Sequence, residues 1–187
     1  MRHRISQPSP SQSGARAKGE KIVFTTASAA LGEILVARSA AGVCAILLGD
    51  DRRRLVQELT THFAGAMLVE DGPSLTDATA AVVAAVENPG KALDLQLDIR
   101  GTDFQKKVWT ALRNIPPGDP TSYSEIARRI GSPRSLRAVA GACAANVLAL
   151  AIPCHRVLRS NGSLSGYRWG MERKRALLDR ENTRRPE

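Results

Sequence analysis

The chain has 187 residues, 43% of them hydrophobic, which suffices for a packed core in one domain or two small ones. This composition excludes a globally disordered chain, and no run approaches the roughly 18 consecutive apolar residues of a membrane span. The net charge is +9, with 10 basic and 11 acidic residues in positions 1–99 but 17 and 7 in positions 100–187. The basic second half favours an anionic partner such as a phosphate backbone, and a basic protein without nucleic acid is the alternative.

The cysteines and the first residues bear on the compartment. Cys44, Cys143 and Cys154 are odd in number and lie in apolar runs, which argues against a disulfide framework and for a reducing environment. With no C-x-x-C pair and only three histidines, we expect no metal and no other cofactor. Positions 1–20 are rich in Ser, Pro, Gln, Gly and basic residues without an apolar core, so they predict a disordered basic tail, not a secretory signal. We therefore expect a cytoplasmic protein.

Positions 21–99 predict an α/β domain with a small antiparallel sheet and helices. Three β-like runs separated by glycine-containing joints predict a meander, and they cover positions 22–26, 33–38 and 43–48. Helical patterns follow at 52–63 and 75–86, and alternation at 93–99 predicts a further strand. This part of the chain has no motif that carries chemistry, so a structural role is its default interpretation.

Positions 100–187 predict a mainly α-helical domain that starts with an amphipathic helix over 102–115. Ser122 and Glu125 have the spacing of a capping box for a short helix, which Gly131 would end. Ser132 and Pro133 suit the N-cap and first position of a second helix, continuing to residue 145. Two short helices joined by a glycine-containing turn predict a helix-turn-helix of winged-helix-like type.

The second helix of this pair has few side chains long enough to read a base edge. Ala138 and Gly141 would let it lie close to DNA, even in the minor groove, with Arg134, Ser135 and Arg137 on the same segment. Such a surface predicts sequence-independent binding of double-stranded DNA. The alternative is that the small residues let the helix pack closely inside the protein.

Cys154 and His155 are adjacent in an apolar segment, and this pair is the candidate for chemistry. A thiol reacts as its thiolate, and a neighbouring base or cation lowers its pKa. On an extended chain adjacent side chains point to opposite faces, so a bridging water is an alternative route for the proton. By itself the pair is weak evidence, because a buried cysteine usually acts as a small hydrophobic residue.

Several separated motifs resemble, in order and spacing, the O6-alkylguanine-DNA alkyltransferase family of the Ada C-terminal type. The most specific is Pro-Cys-His-Arg-Val at positions 153–157. The likeness covers about positions 95–182 closely, and a weaker likeness continues into the first half at positions 44–51. The other matching positions are Phe104-Gln105, Val108-Trp109, Ser122-Tyr123, Arg137-Ala138-Val139, Asn146, Gly162, Gly166-Tyr167-Arg168-Trp169-Gly170, Leu177-Leu178 and Glu181.

The resemblance implies repair of DNA, with Cys154 taking the alkyl group, mainly methyl, from guanine O6 irreversibly and in a single turnover. His155 would accept the thiol proton through a water, Glu181 would orient the imidazole, and Tyr123 would donate a proton toward guanine N3. The base must first be rotated out of the duplex, because the reacting carbon is inaccessible in the stack. Arg137 would then fill the gap. From residue type alone, Glu181 could instead be an exposed helix carboxylate, Tyr123 a core residue and Arg137 a phosphate contact.

The same resemblance implies a pocket for the extruded base, formed by Asn146, Pro153, Ser165, Tyr167 and Trp169. Asn146 would also brace the turn before the reactive segment. Trp169 is bulky, so we expect it to narrow the pocket and to favour methyl over benzyl groups. A monomer suffices for this chemistry, and DNA is the expected partner, without a membrane.

Three alternatives have different sequence requirements. Alkyltransferase-like proteins that bind damage without accepting the alkyl group lack the reactive cysteine, which this chain has. A transcription regulator of the alkylation response, as in Ada-type proteins, would use an N-terminal zinc-cysteine domain; positions 1–90 have no such cluster, so regulation would need another chain. A cysteine hydrolase would turn over many times, whereas a thioether is a stable end product.

Overall fold

The computed structural model describes residues 19–90 and 93–182, and the first part is a four-stranded sheet with two helices. The spatial order of the strands is β3-β2-β1-β4. Strands β1, β2 and β3 pair antiparallel, which confirms the predicted meander. The strands are β1 (Lys21–Ala29), β2 (Gly32–Ser39), β3 (Gly42–Gly49) and β4 (Met67–Glu70).

Strand β4 makes the sheet mixed, because it pairs parallel with β1. The prediction of a purely antiparallel sheet is therefore wrong. The strand is only four residues long and does not alternate between buried and exposed positions, so its sequence has no period-2 signal. Its position at the sheet edge depends on the connection through helix α1.

Helices α1 (Arg52–His62) and α2 (Thr76–Glu87) confirm the two helical patterns of the first half. The Asp51 side chain caps α1 by accepting a hydrogen bond from the Arg54 amide. Helix α1 packs on β2 and β3, and α2 packs on β1 and β2. Their buried apolar faces complete the core on the sheet.

The segment over 93–99 is not a strand, so that prediction is wrong. It meets β3 at a single parallel bridge between Val43 and Leu97, with a 2.8 Å bond from the Val43 amide to the Gln96 carbonyl. The chain then leaves the sheet edge because Asp98 and Arg100 form a partly buried ion cluster with Glu20. One pair on the sheet edge is too few to propagate a ladder.

The same cluster corrects the boundary of the predicted tail. Glu20 pairs with Arg100, and the Gly19 amide bonds to the Gly65 carbonyl at 2.9 Å, so both residues belong to the folded domain. The remaining part of the tail prediction, positions 1–18, lies outside the described residues.

The second half is mainly helical, as predicted, with one short parallel strand pair. Helices α3, α4 and α5 pack against one another. The elements are α3 (Asp103–Arg113), β5 (Thr121–Ser122), α4 (Tyr123–Arg129), α5 (Leu136–Ala144), a 3-10 turn (Cys154–Arg156), β6 (Val157–Leu158) and α6 (Met171–Asn182).

Local signals explain where α3 and α4 begin and end. Thr102 and Gln105 form a complete capping box at the start of α3. The Ser122 hydroxyl accepts from the Glu125 amide and caps α4, whereas the Glu125 carboxylate pairs with two following arginines instead of completing a box. Gly131, at a φ of 72°, ends α4 as predicted.

Helix α5 starts at Leu136, later than predicted. The Ser132 carbonyl accepts a 2.9 Å bond from the Ser135 amide, so Ser132, Pro133 and Arg134 form a turn before the helix. The prediction that Ser132 caps this helix is therefore wrong, because the residue that precedes the first helical turn is Ser135.

The sheet reaches the segment that carries Cys154 through the outer edge of β3. The Ile46 amide donates to the Val147 carbonyl at 2.8 Å, and the Ala149 amide donates to the Ile46 carbonyl at 3.0 Å. One buried core extends across both halves of the chain. Within the described residues, no helix is long and apolar enough to cross a membrane.

The contact between β3 and the 93–99 segment can be tested at Gly42. Its φ is 144°, and an added Cβ would lie 2.6 Å from the Gln96 carbonyl oxygen. We expect Gly42→Ala to lower the free energy of unfolding by roughly 1–3 kcal/mol, measured by urea denaturation.

Gly141→Ala is the matched control, because a Cβ there meets nothing within 4 Å. In the middle of α5 it should raise the free energy of unfolding by roughly 0.5–1 kcal/mol. Equal effects of the two substitutions would contradict the close approach at Gly42.

Candidate active site

Two tight turns present Cys154. Leu150 has a φ of 66° and lies at the centre of a γ-turn, which a 2.7 Å bond from the Ala151 amide to the Ala149 carbonyl closes. Pro153 (φ −79°, ψ 61°) forms an inverse γ-turn, closed by the Cys154 amide. The proline ring already restricts φ to this region, so the sequence favours the second turn. The left-handed Leu150 costs about 1–3 kcal/mol, and the neighbouring bonds to β3 hold it in place.

Asn146 is buried and braces this segment. Its Oδ1 accepts from the Leu148 amide at 2.8 Å, and its Nδ2 donates to the Ile152 carbonyl at 2.9 Å and to Cys154 Sγ at 3.2 Å. One side chain thereby ties the end of α5 to the sulfur of Cys154. Asn146 does not line the cavity described below, so its place in the pocket is corrected to a contact behind the thiol.

His155 and Glu181 form a buried pair, with Nε2 and Oε1 2.9 Å apart. Burial raises the pKa of Glu181, but hydrogen bonds from His155 and Arg156 outweigh it and hold the pKa below its usual value. An ionised carboxylate only accepts, so Nε2 carries the hydrogen and neutral His155 has its lone pair on Nδ1. Among the described residues, buried Nδ1 has no hydrogen-bond partner. Burial also lowers the pKa of His155, which keeps the ring neutral.

Arg156 completes this cluster, although sequence analysis gave it no role. Its Nε and Nη2 donate to Glu181 Oε1 at 3.0 and 2.9 Å, and its other N–H groups reach the Ile115 and Pro89 carbonyls. The guanidinium therefore fixes both the charge and the position of Glu181. The available signal was its place in the Pro-Cys-His-Arg-Val motif.

Cys154 opens onto a cavity of about 510 Å³. Tyr123, Ser165 and Tyr167 line it, as the resemblance implied for these positions. The full lining is Tyr123, Ala140, Cys143, Ala144, Cys154, Arg159, Ser165, Gly166, Tyr167 and Arg168. The Cys154 thiol is thus buried but borders an open cavity in the basic half.

Two predicted pocket residues lie elsewhere. Trp169 is buried beside Tyr167, with ring centroids 5.2 Å apart, and does not line the cavity. The expectation that it narrows the pocket is therefore wrong, because the Trp169 side chain is packed in the hydrophobic core. Pro153 lines a separate cavity of about 280 Å³, together with His155 and Arg156.

A buried lysine supports the far wall of the acceptor cavity. Tyr123 Oη lies 2.8 Å from Ser165 Oγ, and Lys174 Nζ donates to Ser165 Oγ at 3.3 Å and to the Val157 carbonyl at 2.6 Å. Burial lowers the pKa of Lys174 and raises that of Tyr123. Lys174 could not be predicted as a buried residue, because it lies in an Arg-Lys-Arg run that is typical of a solvated helix face.

The thiol itself is protonated at rest. Burial raises the pKa of Cys154, and the hydrogen bond from Asn146 and the positive charge of Lys174 only partly oppose it. The expectation that the neighbouring histidine lowers this pKa does not hold, because neutral His155 is turned toward Glu181. Deprotonation must therefore accompany the reaction.

The residues predicted to meet DNA lie at the surface of α5 and the turn before it. Arg134, Arg137, Ala138 and Gly141 are exposed, and Ser135 is half-buried. The inward face of α5 is made by other residues, namely Val139, Ala142 and Cys143. The small residues thus face outward, and the alternative of close interior packing does not apply to them. Among the described residues, no group of three or more His, Cys, Asp or Glu could hold a metal ion.

Comparison with known proteins identifies the class. Residues 103–183 match the sequence model described as 6-O-methylguanine DNA methyltransferase, DNA binding domain. The chain is 43% identical over 120 residues to the inducible methylated-DNA–protein-cysteine methyltransferase of Bacillus subtilis, covering 64% of this chain and 67% of that protein. The crystal structure of Mycobacterium tuberculosis OGT in complex with DNA matches with a TM-score of 0.73 and 36% identity, over 88% of this chain and 95% of that one.

The chain belongs to the 6-O-methylguanine DNA methyltransferase family. It is also 50% identical over 158 residues to the bifunctional transcriptional activator/DNA repair enzyme Ada of Escherichia coli, which covers 84% of this chain. The chain spans only 45% of the length of that relative.

The lowered pKa of His155 makes stability depend on pH. Below pH 6.5, the ordinary pKa of histidine, residue 155 binds a proton in the unfolded chain but not in the folded one. The free energy of unfolding therefore decreases as the pH is lowered. At still lower pH, protonation of Glu181 decreases the free energy of unfolding further, since the pKa of Glu181 is also lowered in the folded chain. His155→Gln, which keeps a donor to Glu181, should flatten this slope between about pH 7 and 5 by up to roughly 1.4 kcal/mol per pH unit.

Urea denaturation across this pH range measures the slope. His62→Gln is the comparison, because burial also lowers the pKa of His62, which lies away from the cavity that contains Cys154. An unchanged slope in the His155→Gln variant would show that His155 titrates alike in the folded and unfolded chains.

Proposed function

We propose that this protein repairs DNA by transferring the alkyl group, mainly methyl, of O6-alkylguanine irreversibly to Cys154, in a single turnover. The observation that carries the proposal is the position of the cavity mouth. Ala140 and Ala144 of α5 are exposed, and they line the same cavity as Cys154. DNA lying on the outward face of α5 would therefore have a base beside the acceptor thiol.

Helices α4 and α5 would act as a helix-turn-helix of winged-helix-like type, binding double-stranded DNA as a monomer through the minor groove. The exposed surface at Ala138 and Gly141 supports close approach without base reading. Arg134 and Ser135 would contact the backbone, and Arg137 would fill the space of the extruded nucleotide. The basic balance of positions 100–187 supports phosphate binding.

The proposed division of labour places the chemistry in positions 100–187 and a supporting role in positions 21–99. The bonds between Ile46 and the 147–149 segment support this division, because the first domain contributes backbone contacts rather than reactive groups. The ion cluster of Glu20, Asp98 and Arg100 closes the junction between them.

The alkyl transfer would proceed by in-line displacement at the carbon on O6. A bond forms from Cys154 Sγ to this carbon as the carbon–O6 bond breaks, leaving its electron pair on the guanine. The thiol proton would pass through a water to the unpartnered Nδ1 of His155, and Glu181 stabilises the resulting imidazolium. The Tyr123 hydroxyl, held by Ser165, would supply a proton to N3, so that the guanine leaves neutral.

The relatives support this proposal by name, since they include a DNA repair enzyme and methylated-DNA–protein-cysteine methyltransferases. The name of the Escherichia coli relative also includes transcriptional activation, which corresponds to the regulator alternative. The site geometry favours repair over regulation, because a reactive cavity with a base and an orienting carboxylate serves no purpose in a regulator that only binds DNA.

Transfer to Cys154 can be counted directly. The protein is incubated with duplex DNA that contains radiolabelled O6-methylguanine, and label per protein molecule is measured. We expect a plateau near one label per chain, abolished in Cys154→Ala. Cys44→Ser is the matched control, because Cys44 is also buried but lies in β3, away from the cavity. Continued turnover, or labelling of Cys154→Ala, would contradict the proposal.

DNA binding should depend steeply on salt and little on sequence, because phosphate contacts dominate. Gly141→Glu places a negative charge on the outward face of α5 and should weaken duplex binding about tenfold or more at low salt. Ala80→Glu, on an exposed position of α2, is the control for the added charge. A marked sequence preference, or equal weakening by both substitutions, would argue against α5 as the DNA-binding helix. Fluorescence anisotropy measures both effects.

A further inference from the structure

Two arginines, Arg159 and Arg168, line the cavity that contains Cys154. The lining has no Asp or Glu within the described part of the chain. Both residues are exposed, so their charges lie at the mouth and not at the buried end. Arg168 pairs with Glu58, whereas Arg159 makes no ion pair with another described residue, so the mouth of the cavity keeps a net positive charge.

The Arg168 guanidinium is held in place before any ligand binds. Its Nε and Nη2 donate to Glu58 Oε1 at 2.9 and 2.6 Å, and its Nη1 donates to the Ala144 carbonyl at 2.9 Å. A guanidinium has five N–H groups, so these three bonds leave two N–H groups for a ligand. Glu58 belongs to α1, so the first domain positions a cation at the mouth of the cavity.

Arg159 follows β6 directly and lines the same cavity. Backbone bonds fix its turn, with the Arg159 amide donating to the Ser163 carbonyl at 3.0 Å and the Gly162 amide to the Arg159 carbonyl at 2.9 Å. Its side chain makes no ion pair with another described residue.

An extruded nucleotide enters such a cavity base first, because the base carries the reacting carbon. Its sugar and the two flanking phosphodiesters must then stay outside, at the mouth. Guanidinium groups match phosphate oxygens with paired, charge-assisted hydrogen bonds. A guanidinium that is already fixed loses little conformational entropy on binding.

We propose that Arg159 and Arg168 bind the phosphodiesters that flank the extruded nucleotide and so hold its base in the cavity. This inference rests on the proposed function, and it assigns to the two residues a role separate from that of the α5 surface. Arg168 acts as the preset contact, and Arg159 binds from the segment that follows β6.

The test compares a substrate with phosphates and one without. Single-turnover methyl transfer is measured from O6-methylguanine in duplex DNA and from the nucleoside O6-methyl-2′-deoxyguanosine at high concentration. Arg159→Ala and Arg168→Ala should each slow transfer from subsaturating duplex about tenfold and leave transfer from the nucleoside unchanged. Each should also lower the slope of log affinity against log salt by about 1.

Arg52→Ala is the matched control, since Arg52 is an exposed arginine of α1 that pairs with Glu70 away from the cavity. Arg168→Lys keeps the positive charge but loses the paired N–H donors of the guanidinium. Its rate of transfer from duplex DNA should therefore lie between those of the wild-type protein and Arg168→Ala. Unchanged unfolding curves establish that each variant is folded.

Each other outcome has a definite meaning. Equal slowing on duplex and nucleoside would overturn the phosphate contact and assign the arginines to the shape of the cavity. If Arg159→Ala and Arg168→Ala transferred methyl from duplex DNA as fast as the Arg52→Ala control, the proposed phosphate contact would also be overturned. If the wild-type protein transfers no methyl group from either substrate, the proposed function fails, which is distinct from failure of the two arginines alone.

Discussion

The buried carboxylate of Glu181 is the interaction on which the rest of the site depends. A carboxylate removed from water is destabilised by several kcal/mol unless it is paired and hydrogen-bonded. Arg156 supplies the compensating charge, and the Gly118 amide adds a bond at 3.3 Å. Because the ionised carboxylate can only accept, it fixes the hydrogen of His155 on Nε2 and leaves Nδ1 basic. Protonation of Glu181 would remove this constraint, so the arginine controls the chemistry of the histidine without touching a substrate.

The backbone around the acceptor depends on a second constraint, the outer edge of β3. Leu150 adopts a left-handed conformation that L-residues avoid, and a free loop would relax from it. The two bonds to Ile46 and the bonds of Asn146 hold the chain on both sides of this residue. A domain without reactive groups therefore determines where the sulfur lies. The same domain presents Glu58 to Arg168, so its influence reaches both the floor and the mouth of the cavity.

Sequence patterns predicted those parts of the molecule whose signals are local. Three strands, three helices and the end of α4 at Gly131 follow from periodicity and turn residues. Strand β4 was missed because four residues are too few to show a periodic pattern. The predicted 93–99 strand was wrong because alternation of apolar and polar residues does not reveal that the segment pairs with β3 at only one bridge. The adjacent Cys154 and His155 were candidates from residue type, and the resemblance made them specific. Glu181 came from the resemblance alone, since nothing local joins residues 26 positions apart. Lys174 was missed because a buried cation in a basic run looks like a surface residue, and Trp169 was misplaced because its neighbour, not it, faces the cavity.

The raised pKa of Cys154 conflicts with a nucleophilic role only if the thiol must be reactive before a substrate binds. A thioether formed at sulfur is not reversed, so a thiolate exposed at all times would be lost to any small electrophile. A protonated thiol beside an unprotonated Nδ1 reacts only when an electrophilic carbon occupies the cavity and the proton can move at the same time. In the proposed reaction the positive charge of Lys174, behind the cavity wall, would favour the charge that develops on the sulfur. Burial therefore keeps the Cys154 thiol protonated until a substrate carbon occupies the cavity, and the proposed reaction needs no thiolate at rest.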